Sequence, residues 1–182
     1  MNHEVETELK MLLEPAQMQR LLAGKFKNVP FIHQANTYYR SNNHNHYAFR
    51  IRERNGETLF TLKEHQGDEL MEYEKAFTGA LEDDPELMEL LASFNEYQPF
   101  EVLGQLDTLR ADLDTSLAVI SLDINFYNGT YDYEIEYEVK KPHDYREAFT
   151  AFLNEHNIEF KQNKVSKYRR FLKTMKEDDH AA

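Results

Sequence analysis

Charged side chains occupy every second position in most of the extended segments of this chain. In residues 4–10, apolar residues and a threonine alternate with Glu4, Glu6, Glu8 and Lys10. Because successive side chains of a β-strand point to opposite faces, these four charges share one face. Such a face is stable only against water or against ions of opposite charge. The pattern therefore restricts the chain to sheets that have one apolar face and one ionic face.

The same alternation continues along the chain. Arg50 and Arg52 flank Ile51, and Glu134, Glu136 and Glu138 alternate with apolar residues. Asn-Gly pairs at 55–56 and 128–129 are typical of tight hairpin turns. We predict about eight strands, mostly joined by hairpins, with helices at about 15–24, from 83, from 142 and over 164–174. The strands are predicted at 4–10, 29–40, 46–54, 58–63, 70–77, 98–112, 116–126 and 130–140.

Two arrangements of these strands satisfy the pattern. A sandwich or half-open sheet would turn the ionic face to water, which is what such alternation normally means. However, acids and bases are concentrated on different strands, and the helices could cover the apolar faces from outside. These features count against the open sheet, and an α+β fold, mainly antiparallel β, in which about eight strands close into a barrel or tunnel with the helices packed outside, stays open beside it.

Composition narrows the class of protein. The 182 residues carry 33 acids and 21 bases, and the net charge of −12 argues against a general nucleic-acid binder. The chain has no cysteine, which excludes disulfides and thiol catalysis and fits a cytoplasmic protein. We found no signal peptide, long apolar run or linker, and we therefore expect a single domain over 1–182 and no membrane contact.

Inward-facing charges would have a defined chemistry. Clustered Glu and Asp oxygens without a His-x-His or cysteine pattern select Mg²⁺ or Mn²⁺ rather than zinc. Arg and Lys on facing strands suit phosphate oxygens. A metal beside a basic clamp is typical of a polyphosphate site. The close histidine pair, His44 and His46, is predicted to be a solvated loop rather than a metal site.

Five groups of residues follow one another in a characteristic order. They are Glu6-x-Glu8-x-Lys10, Tyr38-Tyr39 with 49–52 and 59–63, residues 103–110, Leu122-Asp123 with 134–136, and Ser166-Lys167-Tyr168 with Arg170 and Phe171. In this order they resemble the CYTH domain, or triphosphate tunnel metalloenzyme, superfamily over about residues 4–172, leaving a charged tail at 176–182. One departure is Arg40-Ser41-Asn42, where many members have Asp-Thr-Pro.

The resemblance implies a role for each matched residue. The implied metal ligands are Glu6, Glu8, Asp123, Glu134 and Glu136. The implied phosphate-binding residues are Lys10, Arg50, Arg52, Lys63, Arg110 and Lys167. The implied catalytic residues are Lys10, Glu6 and Glu8. The roles of Glu72, Glu74 and Arg40 stay open, and Glu4 and Glu138 are expected at the tunnel rims.

The function that this set implies is a divalent-metal-dependent triphosphatase. Its small-molecule substrate would be inorganic triphosphate, or a nucleoside or thiamine triphosphate. An adenylate cyclase of the same fold, a non-catalytic module that binds polyphosphate or a nucleotide, and a structural β-sandwich are the alternatives. The sequence leaves the oligomeric state open, a homodimer included.

Overall fold

The computed structural model describes residues 1–41, 47–67 and 69–181, with side chains through Met175. The described elements, in chain order, are β1 Asn2–Glu6, β2 Glu8–Leu13, α1 Pro15–Ala23, β3 Ile32–Ser41, β4 Phe49–Arg54, β5 Glu57–Gln66, β6 Glu69–Ala76, a 3-10 turn Leu81–Asp83, α2 Pro85–Ser93, β7 Phe100–Asp114, β8 Ala118–Tyr127, β9 Thr130–Val139, α3 Tyr145–Asn154 and α4 Lys167–Ala181. The predicted loop with His44 and His46 lies outside the described residues, as does Asp68 of a predicted turn.

The predicted fold class, α+β with a mainly antiparallel sheet, is confirmed. The described residues form nine strands rather than eight, because the strand predicted at 4–10 is interrupted at Thr7. The two parts have different neighbours: β1 pairs with β6, whereas β2 pairs with β9. The oxygen of Thr7 accepts a hydrogen bond from the N–H of Val139, at the end of β9.

The chain divides into two compact units. The first contains residues 1–6 and 33–106, and the second contains 7–32 and the chain from Asp107 onward. The strand order is β1-β6-β5-β4-β3-β7 in the first unit, with β7 up to Leu106, and β7-β8-β9-β2 in the second, with β7 from Asp107. The single domain expected from the sequence stays a prediction.

The sheet of the first unit has one apolar and one ionic face. Arg50 lies opposite Thr61, and Thr61 lies opposite Glu74, so all three share a face. The alternate residues pack on the other face against α2, and this buried core includes Phe49, Phe60, Leu62, Leu87 and Leu91. Helix α2 begins where the side chain of Asp84 accepts from the N–H of Leu87 at 3.0 Å.

The second unit repeats this division. Helices α1 and α3 cover the apolar face of its sheet, and the core includes Leu21, Leu122, Ile135, Phe149 and Leu153. The ionic face is the opposite one, where Arg110 lies opposite Asp123 and Asp123 opposite Glu134. The alternation seen in the sequence thus separates core from charge in each unit.

Two helices differ in extent from the prediction. The helix expected from Pro142 begins at Tyr145, because the Asp144 side chain accepts from the N–H of Glu147 at 3.1 Å and caps it. The backbone of α4 continues to Ala181, so the predicted tail from Lys176 begins within this helix. Among the helices that the structure describes, none has the length and apolar character needed to cross a membrane.

A close contact at the end of α1 makes Gly24 sensitive to substitution. An ideal Cβ on Gly24 would lie 2.5 Å from His156 Nε2 and 2.6 Å from His156 Cδ2. The ring of His156 is held in place, because Nε2 accepts from the N–H of Lys25 at 3.2 Å and Nδ1 lies 2.8 Å from Phe152 O. The added methyl group therefore has to displace a bonded ring.

We expect Gly24→Ala to lower the free energy of unfolding by about 1–3 kcal/mol, as overpacking does elsewhere. Urea unfolding of both proteins measures this loss. The matched control repeats the substitution in a His156→Ala background, where removal of the ring should abolish most of the cost. An equal loss in both backgrounds would show that the contact with His156 is not the cause.

Candidate functional site

Three carboxylates converge on the ionic face of the second unit. Asp123 on β8 lies opposite Glu134 on β9, and Glu136 follows on the same face of β9. One oxygen from each lies within 4.8 Å of the others. Asp123 and Glu134 are completely buried. We call Asp123, Glu134 and Glu136 the three-acid cluster.

Two cations contact the three-acid cluster closely. The ammonium of Lys167 lies 2.7 Å from Asp123 Oδ2, 2.9 Å from Glu134 Oε1 and 2.6 Å from Glu136 Oε1. Arg110 binds Asp123 through two parallel hydrogen bonds, of 2.7 Å from Nε and 2.6 Å from Nη2. Its Nη2 also donates to Glu136 Oε2 at 3.0 Å. Five predicted site residues of this unit are therefore brought together: Arg110, Asp123, Glu134, Glu136 and Lys167.

A third cation, Arg170, lies one turn along α4 from Lys167. Its Nη1 donates to Glu134 Oε2 and its Nε to Asp132 Oδ2, both at 2.9 Å. Arg170 belongs to the C-terminal motif that resembles the family, but the resemblance implied no role for it. Lys167 and Arg170 are three residues apart and therefore share one face of α4. This spacing was the sequence signal that Arg170 contacts the same acids as Lys167.

The three carboxylates differ in their affinity for protons. Burial raises the pKa of Asp123, but the charges of Lys167 and Arg110 outweigh it, so the net shift is downward. The same balance holds the pKa of Glu136 well below its ordinary value. For Glu134, burial dominates and the pKa is raised. Burial opposes the charge of Lys167, yet the three carboxylates raise its pKa overall.

Strand β2 places two predicted residues on the same ionic face. Lys10 lies directly opposite Glu136, and Glu8 lies opposite Glu138. The ammonium of Lys10 is 3.7 Å from Glu8 Oε1. Glu8 is thus on the ionic face of this unit, although the three-acid cluster identified among the described residues does not include it.

The remaining predicted site residues lie in the first unit. Lys63 donates to Glu6 Oε2 at 2.8 Å and lies 3.2 Å from Glu72 Oε2. Arg50 donates from Nη2 to Thr61 Oγ1 at 3.4 Å. On β6, Glu72 lies opposite Lys63. The structure therefore joins Lys63 to Glu6 and Glu72 on the ionic face of this unit.

Asn36 positions Arg52, one of the predicted phosphate-binding residues. This role of Asn36 was not predicted from the sequence. Its Oδ1 accepts from Arg52 Nε at 2.7 Å, and its Nδ2 donates to Leu106 O at 3.1 Å. Asn36 is buried, and these two hydrogen bonds hold both ends of its side-chain amide. In contrast, Arg40 pairs with Glu101 at 3.1 Å, and both side chains are exposed, which leaves the role of Arg40 open.

Glu72 and Glu74, whose role the sequence left open, differ in the direction of their pKa shifts. Burial raises the pKa of Glu72, but Lys63 and Arg50 outweigh it and the net shift is downward. Burial and the neighbouring Glu72 together raise the pKa of Glu74. The pair therefore carries one firm negative charge beside Lys63 and one carboxyl group that takes up a proton more readily.

The residues of the three-acid cluster fit a hard divalent cation. Carboxylate oxygens are the ligands that Mg²⁺ and Mn²⁺ prefer. Glu134 Oε1 is buried and accepts no hydrogen bond, and its contact with Lys167 Nζ at 2.9 Å is ionic. The close approach of an ammonium to all three acids shows that this position attracts positive charge.

Comparison with known sequences gives a match along almost the whole chain. The sequence model of the CYTH domain family matches residues 4–172. A Bacillus subtilis (strain 168) protein named "Putative triphosphatase YjbK" is 28% identical over 186 residues, covering 90% of this chain and 93% of that protein.

Solved structures with the same fold were also found. A structure from Bacillus halodurans described as a putative adenylate cyclase is 27% identical, with a TM-score of 0.79 over 94% of this chain and 99% of that one. A putative adenylyl cyclase from Hippeastrum, described as having a dominant triphosphatase activity, is 20% identical, with a TM-score of 0.75 over 92% and 95% of the two chains. The second likeness shows the fold alone.

Proposed function

Because the chain belongs to the CYTH domain family, we propose that it hydrolyses a triphosphate with the help of a divalent metal. The observation that carries this proposal is the three-acid cluster, which lies on one ionic face with Lys10, Arg110 and Lys167. Metal-binding acids beside phosphate-binding bases are what phosphoryl transfer from a polyphosphate requires. The name of the Bacillus subtilis relative points to the same reaction class.

We assign the metal, Mg²⁺ or Mn²⁺, to the three-acid cluster of the second unit. Glu6 and Glu8 stay proposed metal ligands because the family resemblance implies that role. The fit of the cluster rests on its carboxylate oxygens and on the buried Glu134 Oε1. When bound, such a metal neutralises charge on phosphate oxygens and polarises them. The acids would hold the metal in place. Glu134 and Glu136 occupy alternate positions on β9, so these two ligands lie on one face of the strand.

The bases of the ionic faces would bind and orient the phosphates. They are Lys10, Arg50, Arg52, Lys63, Arg110 and Lys167. Arginine suits two phosphate oxygens at once and lysine acts as a point charge, so the bases on each ionic face suit the oxygens of a highly charged phosphate ligand. These fixed charges stabilise the charge that develops when water attacks the terminal phosphorus, with Lys10, Glu6 and Glu8 as the catalytic residues.

A panel of substrates and metals tests this function. Inorganic triphosphate, ATP and thiamine triphosphate are each incubated with Mg²⁺, Mn²⁺ or Ca²⁺, and released phosphate is measured. We expect release from at least one substrate with Mg²⁺ or Mn²⁺ and none when EDTA is added. Tight binding of triphosphate without any phosphate release would instead favour a binding module.

A cyclase is the second candidate, because a similar structure carries that description. Chromatography of the products from ATP separates the two reactions: a triphosphatase gives ADP and phosphate, whereas a cyclase gives cyclic AMP and diphosphate.

We also propose that the chain works as one domain in the cytoplasm on a small-molecule triphosphate. The expectation from the sequence is the basis for that location, and fractionation of cells checks it.

A further inference from the structure

We propose that Lys167 and the divalent metal compete for one position in the three-acid cluster, so that the metal enters only when the Lys167 ammonium leaves. This inference rests on the proposed function, because it concerns the metal that we assign to the same acids. It adds a step of cation exchange, in which a residue of α4 holds the site until the metal replaces it.

The carboxylate oxygens of the three-acid cluster are already in contact with cations. Arg110 contacts both oxygens of Asp123 and Oε2 of Glu136. Lys167 contacts Asp123 Oδ2 and the Oε1 atoms of Glu134 and Glu136. The sixth oxygen, Glu134 Oε2, accepts from Arg170. A metal that binds these acids must therefore displace a cation that is already there.

Lys167 is the cation that the metal displaces. It is the cation whose contacts reach all three acids, at 2.6–2.9 Å. A metal bound through the same oxygens, at about 2.0–2.1 Å for Mg²⁺, would fall within the space that the ammonium takes. The repulsion between two cations so close together excludes their joint presence.

The arginines are held more firmly than the lysine. Arg110 has two-point geometry on Asp123, and Arg170 is also tied to Asp132 and to Val165 O at 2.8 Å. Lys167, in contrast, is a point charge on a flexible four-carbon stem at the first residue of α4. Once displaced, its ammonium is available for the phosphate contact that we assign to it. The exchange thus exposes a base when the metal arrives.

Direct metal binding tests the competition. Mn²⁺ alone is titrated into the full chain and followed by calorimetry, for the wild type, Lys167→Met and Lys173→Met. Lys173 is an exposed residue of the same helix, and its substitution removes the same charge. We expect Lys167→Met to bind Mn²⁺ at least tenfold more tightly than the wild type, and Lys173→Met to match the wild type within twofold. Equal affinities of the wild type and Lys167→Met would overturn the inference.

A second measurement uses the wild type, because Lys167→Met leaves buried acids with less positive charge and could impair folding. The protein is treated with an amine-acylating reagent with and without Mn²⁺, and the modified lysines are quantified by mass spectrometry. We expect Mn²⁺ to increase acylation of Lys167 several-fold and to leave Lys173 unchanged.

The outcomes separate this inference from the proposed function. Mn²⁺ binding that leaves acylation of Lys167 unchanged contradicts the exchange, while a metal-dependent triphosphatase still stands. If neither the wild type nor a folded Lys167→Met variant binds Mn²⁺, both proposals are wrong.

Discussion

Glu136→Gln is expected to lower the kcat/KM of metal-dependent triphosphate hydrolysis by about a hundredfold to a thousandfold. Glu136 contacts both Lys167 and Arg110, at 2.6 Å and 3.0 Å. Glutamine keeps the shape of the side chain but removes its negative charge. The variant therefore loses a metal ligand and leaves two neighbouring cations less well neutralised.

The measurement is kcat/KM for the best substrate of the panel over a range of Mg²⁺ and Mn²⁺ concentrations. The control is Glu159→Gln, an equal charge change at an exposed position in the second unit, which should stay within about twofold of the wild type. Circular dichroism establishes that both variants are folded at the assay temperature. A folded Glu136→Gln variant with wild-type kcat/KM would remove this acid from the assigned metal ligands.

The faces of the strands could be predicted from sequence because their alternation is a local property. Glu134, Glu136 and Arg50 carry charge at alternate positions whatever their strands pair with, and the structure places each on an ionic face. The interruption at Thr7 could not be predicted in this way. It depends on β6 and β9, whose pairing with β1 and β2 joins residues far apart in the chain.

The hydrogen-bond partners of side chains were harder to predict from sequence than the faces on which the side chains lie. The bond between Asn36 and Arg52 depends on the register of β3 against β4, which puts these residues opposite each other. Sequence alternation gives the parity of a residue but not this register. Similarly, the helix that carries Arg170 was predicted, but its docking against Glu134 depends on tertiary packing. The family resemblance predicts the acids and bases of the site, and the structure adds the residues that contact them.

Arg170→Met is expected to lower the free energy of unfolding at pH 7 by about 3–5 kcal/mol, the cost of removing one partner of a buried ion pair. Arg170 is buried and binds both Asp132 and the completely buried Glu134. Methionine fills a similar volume, so the main loss is electrostatic rather than a cavity. Urea unfolding measures the difference.

The neighbouring residue provides the control. Arg169 is exposed, and Arg169→Met removes the same charge from the same helix. We expect this variant to stay within about 0.5 kcal/mol of the wild type. If the two substitutions cost the same, the loss comes from the charge of the helix as a whole and not from the ion pairs of Arg170.

The pH dependence gives a sharper test of the same ion pairs. Burial raises the pKa of Glu134 above its ordinary value of 4.5, whereas the charge of Arg170 acts to lower it. Removing Arg170 therefore raises this pKa further. A carboxyl group whose pKa is higher in the folded state favours folding while it is protonated, and that contribution is lost as the pH rises through the folded pKa.

The loss in free energy of unfolding caused by Arg170→Met should accordingly be smaller at pH 5 than at pH 8. The pKa values of Asp123 and Glu136 are lowered, so their contribution is lost only as the pH falls below their unfolded values, outside this range. Lys167 and Arg110 hold the pKa values of Asp123 and Glu136 low, and both bases are present in the variant. The contributions of these two acids to stability therefore largely cancel in the comparison with the wild type. A cost that is constant from pH 5 to pH 8, or larger at pH 5, would contradict the assignment of the loss to Glu134.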